Sequence, residues 1–317
     1  MQARLPILLD TDPGIDDAMA MAYLAADPRV ELMAITTVFG NAGVATTTRN
    51  ALYLRDRLGL VAPVHRGADQ PLDGPRGRGA EHVPGHDGLG GLGLSTGVKD
   101  GPAMMPAHEA MVEAINRRPG DIRLLAIGPL TNLALALRLD SSIAAKVREV
   151  VVMGGAFGGS GRGGNVTPFA EANIHNDPRA AAEVFAAQWP VRIVGLDVTL
   201  DCVLTSDQAR RLAGAAGPVG QLLWDISRDY EAMYREADGL AGCALHDVAA
   251  AVCLLEPQLF TCDRTGVEVS LEGAMRGHTR AVAVGPVHGI CRAVRPAAVV
   301  DTYLETLIRA AAVVAGR

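Results

Sequence analysis

The chain predicts a single α/β domain over residues 1–317, with a mostly parallel, mixed central sheet flanked by helices. Three observations carry that expectation. Short β-rich runs alternate with stretches of helical period, as in successive βαβ units. Hydrophobic residues make up 49% of the chain and aromatic residues only 4%, so the core must come from Ala, Val, Leu and Ile, which suit a sheet buried on both faces. A chain of 317 residues is long enough for one large domain or two smaller ones, yet no linker or internal repeat divides it.

The elements follow in order. Leu5–Leu9 is a short apolar run and reads as the first strand; Pro13-Gly14 makes a sharp turn, and Ile15–Ala26 then keeps a helical period. Glu31–Val38, Ile122–Ile127, Val147–Met153 and Val191–Leu196 are the further strands, rich in β-branched and aliphatic residues. Ala45–Leu58, Met104–Arg117, Leu130–Arg138, Pro178–Ala187 and Pro218–Glu236 read as helices, the last two opening on a proline that a first helical turn tolerates. After residue 258 the pattern weakens to strand-like pieces at Gly266–Leu271 and Arg280–Val284, then a helix at Thr302–Val314. Two stretches break the alternation: Arg66–Gly101, dense in Gly, Pro and His, and the glycine-rich loop Gly154–Gly164. Loops that long are usually functional or mobile; Arg76–Gly79 reads as a solvated connector.

Charge and composition exclude several partners. The net charge of −6 disfavours a nucleic-acid backbone as main partner. The 5 cysteines are odd in number and contain no C-x-x-C pair, which fits buried thiols in a reduced interior. Too few apolar residues precede Asp10 for a signal-peptide core, and no apolar run approaches the ~18 residues of a membrane span. A soluble, cytoplasmic protein is expected.

The most informative stretch is Asp10-Thr11-Asp12-Pro13-Gly14-Ile15-Asp16-Asp17-Ala18, where four carboxylates crowd the junction of a strand and a helix. Such crowding is unfavourable unless a positive group neutralises it, and a hard divalent cation with oxygen ligands is the simplest candidate. An EF-hand fails, because Gly14 falls at loop position five and Met21 stands where position twelve needs Glu. A haloacid-dehalogenase-type phosphatase would use Asp10 as nucleophile, with Lys146 near the strand Val147–Met153, but Gly154-Gly155-Ala156 stands where its later acids belong. A helix N-terminus that favours Asp explains Asp16 or Asp17, not all four.

Asp10–Ala18 resembles the N-terminal signature of the nucleoside hydrolase family, the inosine-uridine-preferring ribohydrolases. The resemblance recurs in order along nearly the whole chain: Phe39-Gly40-Asn41, then Ile127-Gly128-Pro129-Leu130-Thr131-Asn132 and Met153-Gly154-Gly155. It continues through Asn165, Glu171-Ala172-Asn173, Asp177-Pro178 and Gly242-Cys243-Ala244-Leu245-His246-Asp247. It implies a Rossmann-like nucleoside hydrolase fold, a homodimer or homotetramer, and Ca²⁺-dependent cleavage of ribonucleosides to ribose and free base, in nucleoside salvage.

Carried over by position, the resemblance assigns Asp12, Asp17, the Ile127 carbonyl and Asp247 to Ca²⁺, with Asp10 orienting them from behind. Asp16, Asn41 and Asn173 would bind the ribose 2′- and 3′-hydroxyls, Asn165 and Glu171 the 5′-hydroxyl, and Met153 would pack beneath the sugar. Asp12 would double as general base toward a cation-activated water, and His246 would donate a proton to the leaving base. Attack would pass through an oxocarbenium-like sugar stabilised by the carboxylates. Asn132 reads as structural and Asp197 as a helix cap.

The base side departs from the pattern. Pro84 stands where many members carry a His that contacts the base, with His82 and His86 two residues to either side. Tyr230 and Tyr234 share a helix face and Tyr234 fits a base-pocket position, but Asp238 stands where relatives place Tyr or Arg. Purine or pyrimidine preference therefore stays open, as does whether loop 66–101 closes on the substrate. Two other functions remain: a phosphohydrolase with Asp10 as nucleophile, and a non-catalytic nucleoside-binding protein on the same fold.

Overall fold

A computed structural model describes residues 4–75, 88–91, 98, 100–159 and 161–316. Its strands are β1 (Leu5–Thr11), β2 (Val30–Thr37), β3 (Val64–Arg66), β4 (Arg123–Ala126), β5 (Glu149–Met153), β6 (Val191–Val194), β7 (Val203–Thr205), β8 (Gly242–Ala244), β9 (Phe260–Val269), β10 (Thr279–Val282) and β11 (His288–Val294). The helices are α1 (Ile15–Ala26), α2 (Val44–Arg57), α3 (Ala107–Arg117), α4 (Thr131–Leu139), α5 (Ile143–Lys146), α6 (Ala172–Asn176) and α7 (Pro178–Ala186), then α8 (Leu196–Thr199), α9 (Ser206–Ala215), α10 (Gly217–Asp238), α11 (His246–Leu255) and α12 (Pro296–Ala315).

The large sheet runs β10-β9-β11-β6-β5-β4-β1-β2-β3, and β7 with β8 forms a separate two-stranded ribbon. Every pairing from β3 across to β11 is parallel; only β9 and β10 are antiparallel to their neighbours. The sheet is thus mixed and mostly parallel within a single α/β domain.

Alternation along each strand builds two cores. Ile7 and Leu9 of β1 pack on the face covered by α1, α11 and α12, while Leu8 faces the layer of α3, α4 and α7. β5 splits in the same way, Val151 and Met153 to one side, Val150 and Val152 to the other. Because both faces are covered, the central strands β1, β4 and β5 carry an apolar run, Ile7–Leu9, Leu124–Ala126 and Val150–Met153.

From β1 the chain steps outward to β2 and β3, then returns to place β4 on the other side of β1. The connections on either side of β1 therefore diverge, leaving a crevice outside the carboxyl ends of β1 and β4, the place where open α/β sheets bind ligands. The acidic motif ends β1, so topology alone puts it in that crevice.

Most of the expected elements are present, and Ile15–Ala26 matches α1 end to end. The helix expected from Met104 begins three residues later, at Ala107, leaving Met104 almost fully exposed. The C-terminal helix begins earlier than expected, at Pro296. β3, β7 and β8 have three residues each, too few for a legible period. β11 was hidden by composition, since HGICRAV mixes His, Gly, Cys and Arg. Among the described residues no helix is long and apolar enough to cross a membrane.

Candidate active site

The parallel register delivers the site residues to one edge. β1 ends on Thr11, Asp12 follows it, and the Pro13-Gly14 turn starts α1 with Asp16 and Asp17 in its first turn. The segment after β2 supplies Asn41, whose backbone N–H donates to Asp12 Oδ2 (2.7 Å) and whose side chain donates to the Asp12 carbonyl and Asp17 Oδ2. From the far end of the chain, the first turn of α11 brings the Asp247 N–H to Asp16 Oδ2 at 2.9 Å.

Room for the acids is made by glycine. A Cβ at Gly40 would lie 2.0 Å from Asp12 Oδ2, and one at Gly128 would lie 2.7 Å from Asp12 Oδ1. Both strand-end glycines are therefore needed for the Asp12 carboxylate to sit where it does.

Asp10, Asp12, Asp16, Asp17, Glu171 and Asp247 are all buried. Burial pushes Asp10 up to about 7, against hydrogen bonds from Thr36 and Asn132. Asp12 is pushed well above the usual carboxylate range by burial and then by the charge of Asp17. Asp16 rises to about 8, chiefly by burial, although the Asp247 N–H opposes the shift. Burial also raises Asp17, despite donors from Thr11 and Gly14. Asp247 is driven well up by burial, then by Asp16, Asp17 and Asp12. Among the described residues, no Lys or Arg is among the main influences on these acids.

Three of their oxygens, Asp10 Oδ2, Asp12 Oδ1 and Asp16 Oδ1, are buried without a hydrogen-bond partner. Unpartnered buried carboxylate oxygens are costly, so the cluster suits a cation and hydroxyl donors. The remaining oxygens are held firmly. Asp17 Oδ1 accepts from Thr11 Oγ1 and the Asp12 N–H, and its Oδ2 accepts from the Gly14 N–H at 3.0 Å. Asp10 Oδ1 accepts from Thr36 Oγ1 (2.6 Å) and Asn132 Nδ2 (2.8 Å). Among the described residues no three His, Cys, Asp or Glu side chains form a ready-made metal cage. The Asp17 carboxylate is engaged by the backbone and by Thr11 and Asn41.

The residues expected to face a sugar gather at the carboxyl ends of β4 and β5. Asn173 Nδ2 donates to the Ile127 carbonyl (3.0 Å) and the Met153 carbonyl (3.2 Å) and lies 3.5 Å from Met153 Sδ. Both Glu171 oxygens accept backbone N–H groups, from Asn173 on one side and from Gly155 and Ile174 on the other, so Glu171 caps α6. Asn165 is exposed, and its Oδ1 accepts the Ala172 N–H beside that cap.

A chain of side chains forms the remaining wall. Tyr230 and Tyr234 of α10 are buried edge-to-face with ring centroids 4.9 Å apart and hydroxyls 3.2 Å apart. Tyr234 Oη is 2.6 Å from His246 Nε2, and Thr199 Oγ1 is 2.7 Å from His246 Nδ1. Burial lowers the His246 ring to about 4, so it is neutral near pH 7.

Several readings change. Asp197 does not cap its own helix; its carboxylate accepts the Phe157 and Gly159 N–H groups at 2.8 and 2.7 Å, pinning the glycine-rich loop. Asn132 is structural in a specific sense, bridging Asp10 to the Thr37 carbonyl and the Ala68 N–H. Thr11, Thr36 and Thr199 were missed because threonine near a strand reads as β-propensity. His82, Pro84 and His86 lie outside the described residues, as does the side chain of Asp238. Lys146 closes α5 ahead of β5, bonded to Asn116 and Ser142 at the sheet edge opposite the acids.

Comparison with known proteins agrees with this arrangement. The profile of the inosine-uridine preferring nucleoside hydrolase family matches residues 7–302. The chain is 39% identical over 274 residues to probable uridine nucleosidase 2 of Oryza sativa subsp. japonica, covering 86% of this chain and 80% of that protein. It is 38% identical over 284 residues to the non-specific ribonucleoside hydrolase RihC of Salmonella agona, covering 90% and 89%. Among solved structures, the plant nucleoside hydrolase PpNRh1 superposes with a TM-score of 0.91 at 33% identity, covering 96% of this chain and 99% of that one. The purine-preferring ribonucleoside hydrolase of Gardnerella vaginalis also gives 0.91, at 28% identity, covering 97% and 99%. A family profile spanning nearly the whole chain, relatives near two-fifths identity and a shared fold lead to one conclusion: the protein belongs to the inosine-uridine preferring nucleoside hydrolase family and is an N-glycosyl hydrolase of ribonucleosides.

Proposed function

We propose that the protein cleaves ribonucleosides to ribose and free base with one Ca²⁺ held by Asp12, Asp17, Asp247 and the Ile127 carbonyl. The observation that carries this reading is the crowding of buried acids around Asp12, whose Oδ1 has no hydrogen-bond partner, and around Asp247, which is driven up by burial and by the charges of Asp16, Asp17 and Asp12. An all-oxygen donor set suits a hard cation. A bound Ca²⁺ supplies the charge that lets these carboxylates ionise, and it activates water.

The protein's own groups do the rest. Asp12, with Oδ2 fixed by Asn41 and Oδ1 free, takes the proton from the attacking water. Asp16 Oδ1 is free to accept a ribose hydroxyl while Oδ2 stays on Asp247. Asn41 and Asn173 complete the diol contacts, with Asn165 and Glu171 serving the 5′ end and Met153 beneath the ring. Positive charge developing on the sugar is stabilised by the surrounding carboxylates. Asp10 holds the strand end from behind through Thr36 and Asn132. His246, neutral near pH 7, offers a ring N–H as a hydrogen bond to the negative charge that develops on the leaving base, with Tyr234 as its hydrogen-bonded partner toward Tyr230.

The names of the relatives support uridine among the substrates. Buried free thiols support a reducing compartment, the cytoplasm, and the family resemblance supports a homodimer or homotetramer. The phosphohydrolase reading loses ground, because Asp10 is fully buried with Oδ1 doubly bonded and Lys146 sits at the opposite sheet edge. Incubating uridine, cytidine, inosine and adenosine separately and resolving free base by chromatography tests the reading. Base and reducing sugar in equal amounts are expected; binding without base release would make the protein a nucleoside binder, and phosphate release from nucleotides would make it a phosphohydrolase.

A further inference from the structure

Two turns along α11 from the site, the fold brings three cysteines together. Cys262 on β9 and Cys291 on β11 are directly opposed in the antiparallel pairing, and their sulfurs are 2.7 Å apart. Cys253 of α11 is within hydrogen-bonding reach of Cys291. All are free thiols. Cys253 and Cys291 are fully buried, whereas Cys262 is only half-buried and is the most accessible of the three.

A disulfide needs its sulfurs at about 2.05 Å and its Cα atoms roughly 4.4–6.8 Å apart, a range that includes directly opposed residues of antiparallel strands. Closing this pair needs a sulfur movement of less than about 1 Å and no change of register. We propose that Cys262 and Cys291 form a reversible dithiol–disulfide pair, a modification site for low-molecular-weight disulfides of the glutathione type. Its place away from the carboxylates makes it separable from turnover.

The order of events follows from access and acidity. A hydrogen bond from Cys291, helped by the Arg192 guanidinium, holds the Cys262 thiol below its usual range, while its partners and burial push Cys291 up. Cys262 is therefore the attacking thiolate and Cys291 the resolving thiol. Cys262 sulfur attacks the reagent's S–S bond, and the first thiolate leaves and takes up a proton. Cys291 then gives up its proton and attacks the Cys262 sulfur of the mixed disulfide, releasing the second reagent thiol. The two protein thiols are oxidised and the reagent disulfide is reduced to two thiols.

The test uses the folded full-length protein, reduced and then exposed to oxidised glutathione. Thiols titrated after denaturation should fall from five to three, with a Cys262–Cys291 linked peptide in the digest and full reversal by dithiothreitol. Cys262→Ser and Cys291→Ser should each prevent the link, Cys253→Ser should keep it, and Cys262→Ser should release base from nucleoside as the parent does. Five thiols remaining, a Cys253–Cys291 link, or a lasting glutathione adduct on Cys262 with Cys291 still free would each overturn the assignment.

Discussion

Asp12, Ile127 and Met153 lie at or just beyond the ends of neighbouring parallel strands, whereas Tyr230 and Tyr234 project from one long helix, α10, that contributes no strand to the sheet. The first group is tied by hydrogen bonds to backbone: Asn41 and Gly14 N–H groups hold acids, and Asn173 holds two strand-end carbonyls. The second is tied by side chain to side chain, Tyr230 to Tyr234 to His246 to Thr199. Under the proposed function, backbone anchoring would leave little freedom in where a ribose or a cation sits. Side-chain anchoring would leave a base pocket adjustable by single substitutions, which suits a fold whose relatives carry names as different as uridine nucleosidase and purine-preferring hydrolase.

The contrast can be broken by mutation. Asp12→Asn strikes the strand-end half and should lower kcat about 10³-fold or more on every nucleoside, since one side chain serves both base and cation. Steady-state kinetics on two different bases checks it; a loss confined to one base would place Asp12 in the wrong half.

His246→Ala strikes the other half. It should cost about 10²–10³-fold on natural nucleosides and far less on a p-nitrophenyl riboside, whose leaving group needs no such stabilisation. Equal losses on both substrates would remove His246 from leaving-group stabilisation.

Calcium and pH sharpen the comparison further. Asp10 and Asp16 titrate near 7 and 8 in the folded metal-free protein, above the ordinary 3.8 of an unfolded aspartate. Between those values the folded state holds more protons than the unfolded one, so its stability falls as pH rises from about 4 to 8. Thermal unfolding in chelator should show Tm dropping over that window, with added Ca²⁺ restoring most of it at pH 8 and little at pH 5. A Tm independent of pH would mean that the acids are already neutralised within the protein.

Tyr234→Phe should be the mildest, removing one hydroxyl from His246 and Tyr230 at a cost of about 10-fold or less in kcat. The same change should leave Ca²⁺ affinity untouched, as calorimetry would show.

How much of this was legible in the sequence follows the same division. The crowding of Asp10, Asp12, Asp16 and Asp17 after an apolar strand signals a cation without any structure, and Ile15–Ala26 was readable to its ends because its period is unbroken. Asp247 was found only through the resemblance, since nothing local links it to Asp16, 231 positions away. The capping of α6 by the Glu171 oxygens is invisible until the helix is placed. Thr36 and Thr199 escaped because positioning groups look like ordinary strand or turn residues. β11 escaped because His288, Gly289 and Arg292 interrupt its apolar pattern although it lies inside the sheet.

The central claim is that buried strand-end carboxylates hold a cation required for N-glycosidic cleavage. Its most direct test is free-base release from uridine by chelator-stripped protein as Ca²⁺ is titrated back. The account predicts negligible release without the cation and saturable recovery with it, absent in Asp12→Asn. Undiminished release in the presence of chelator would contradict it.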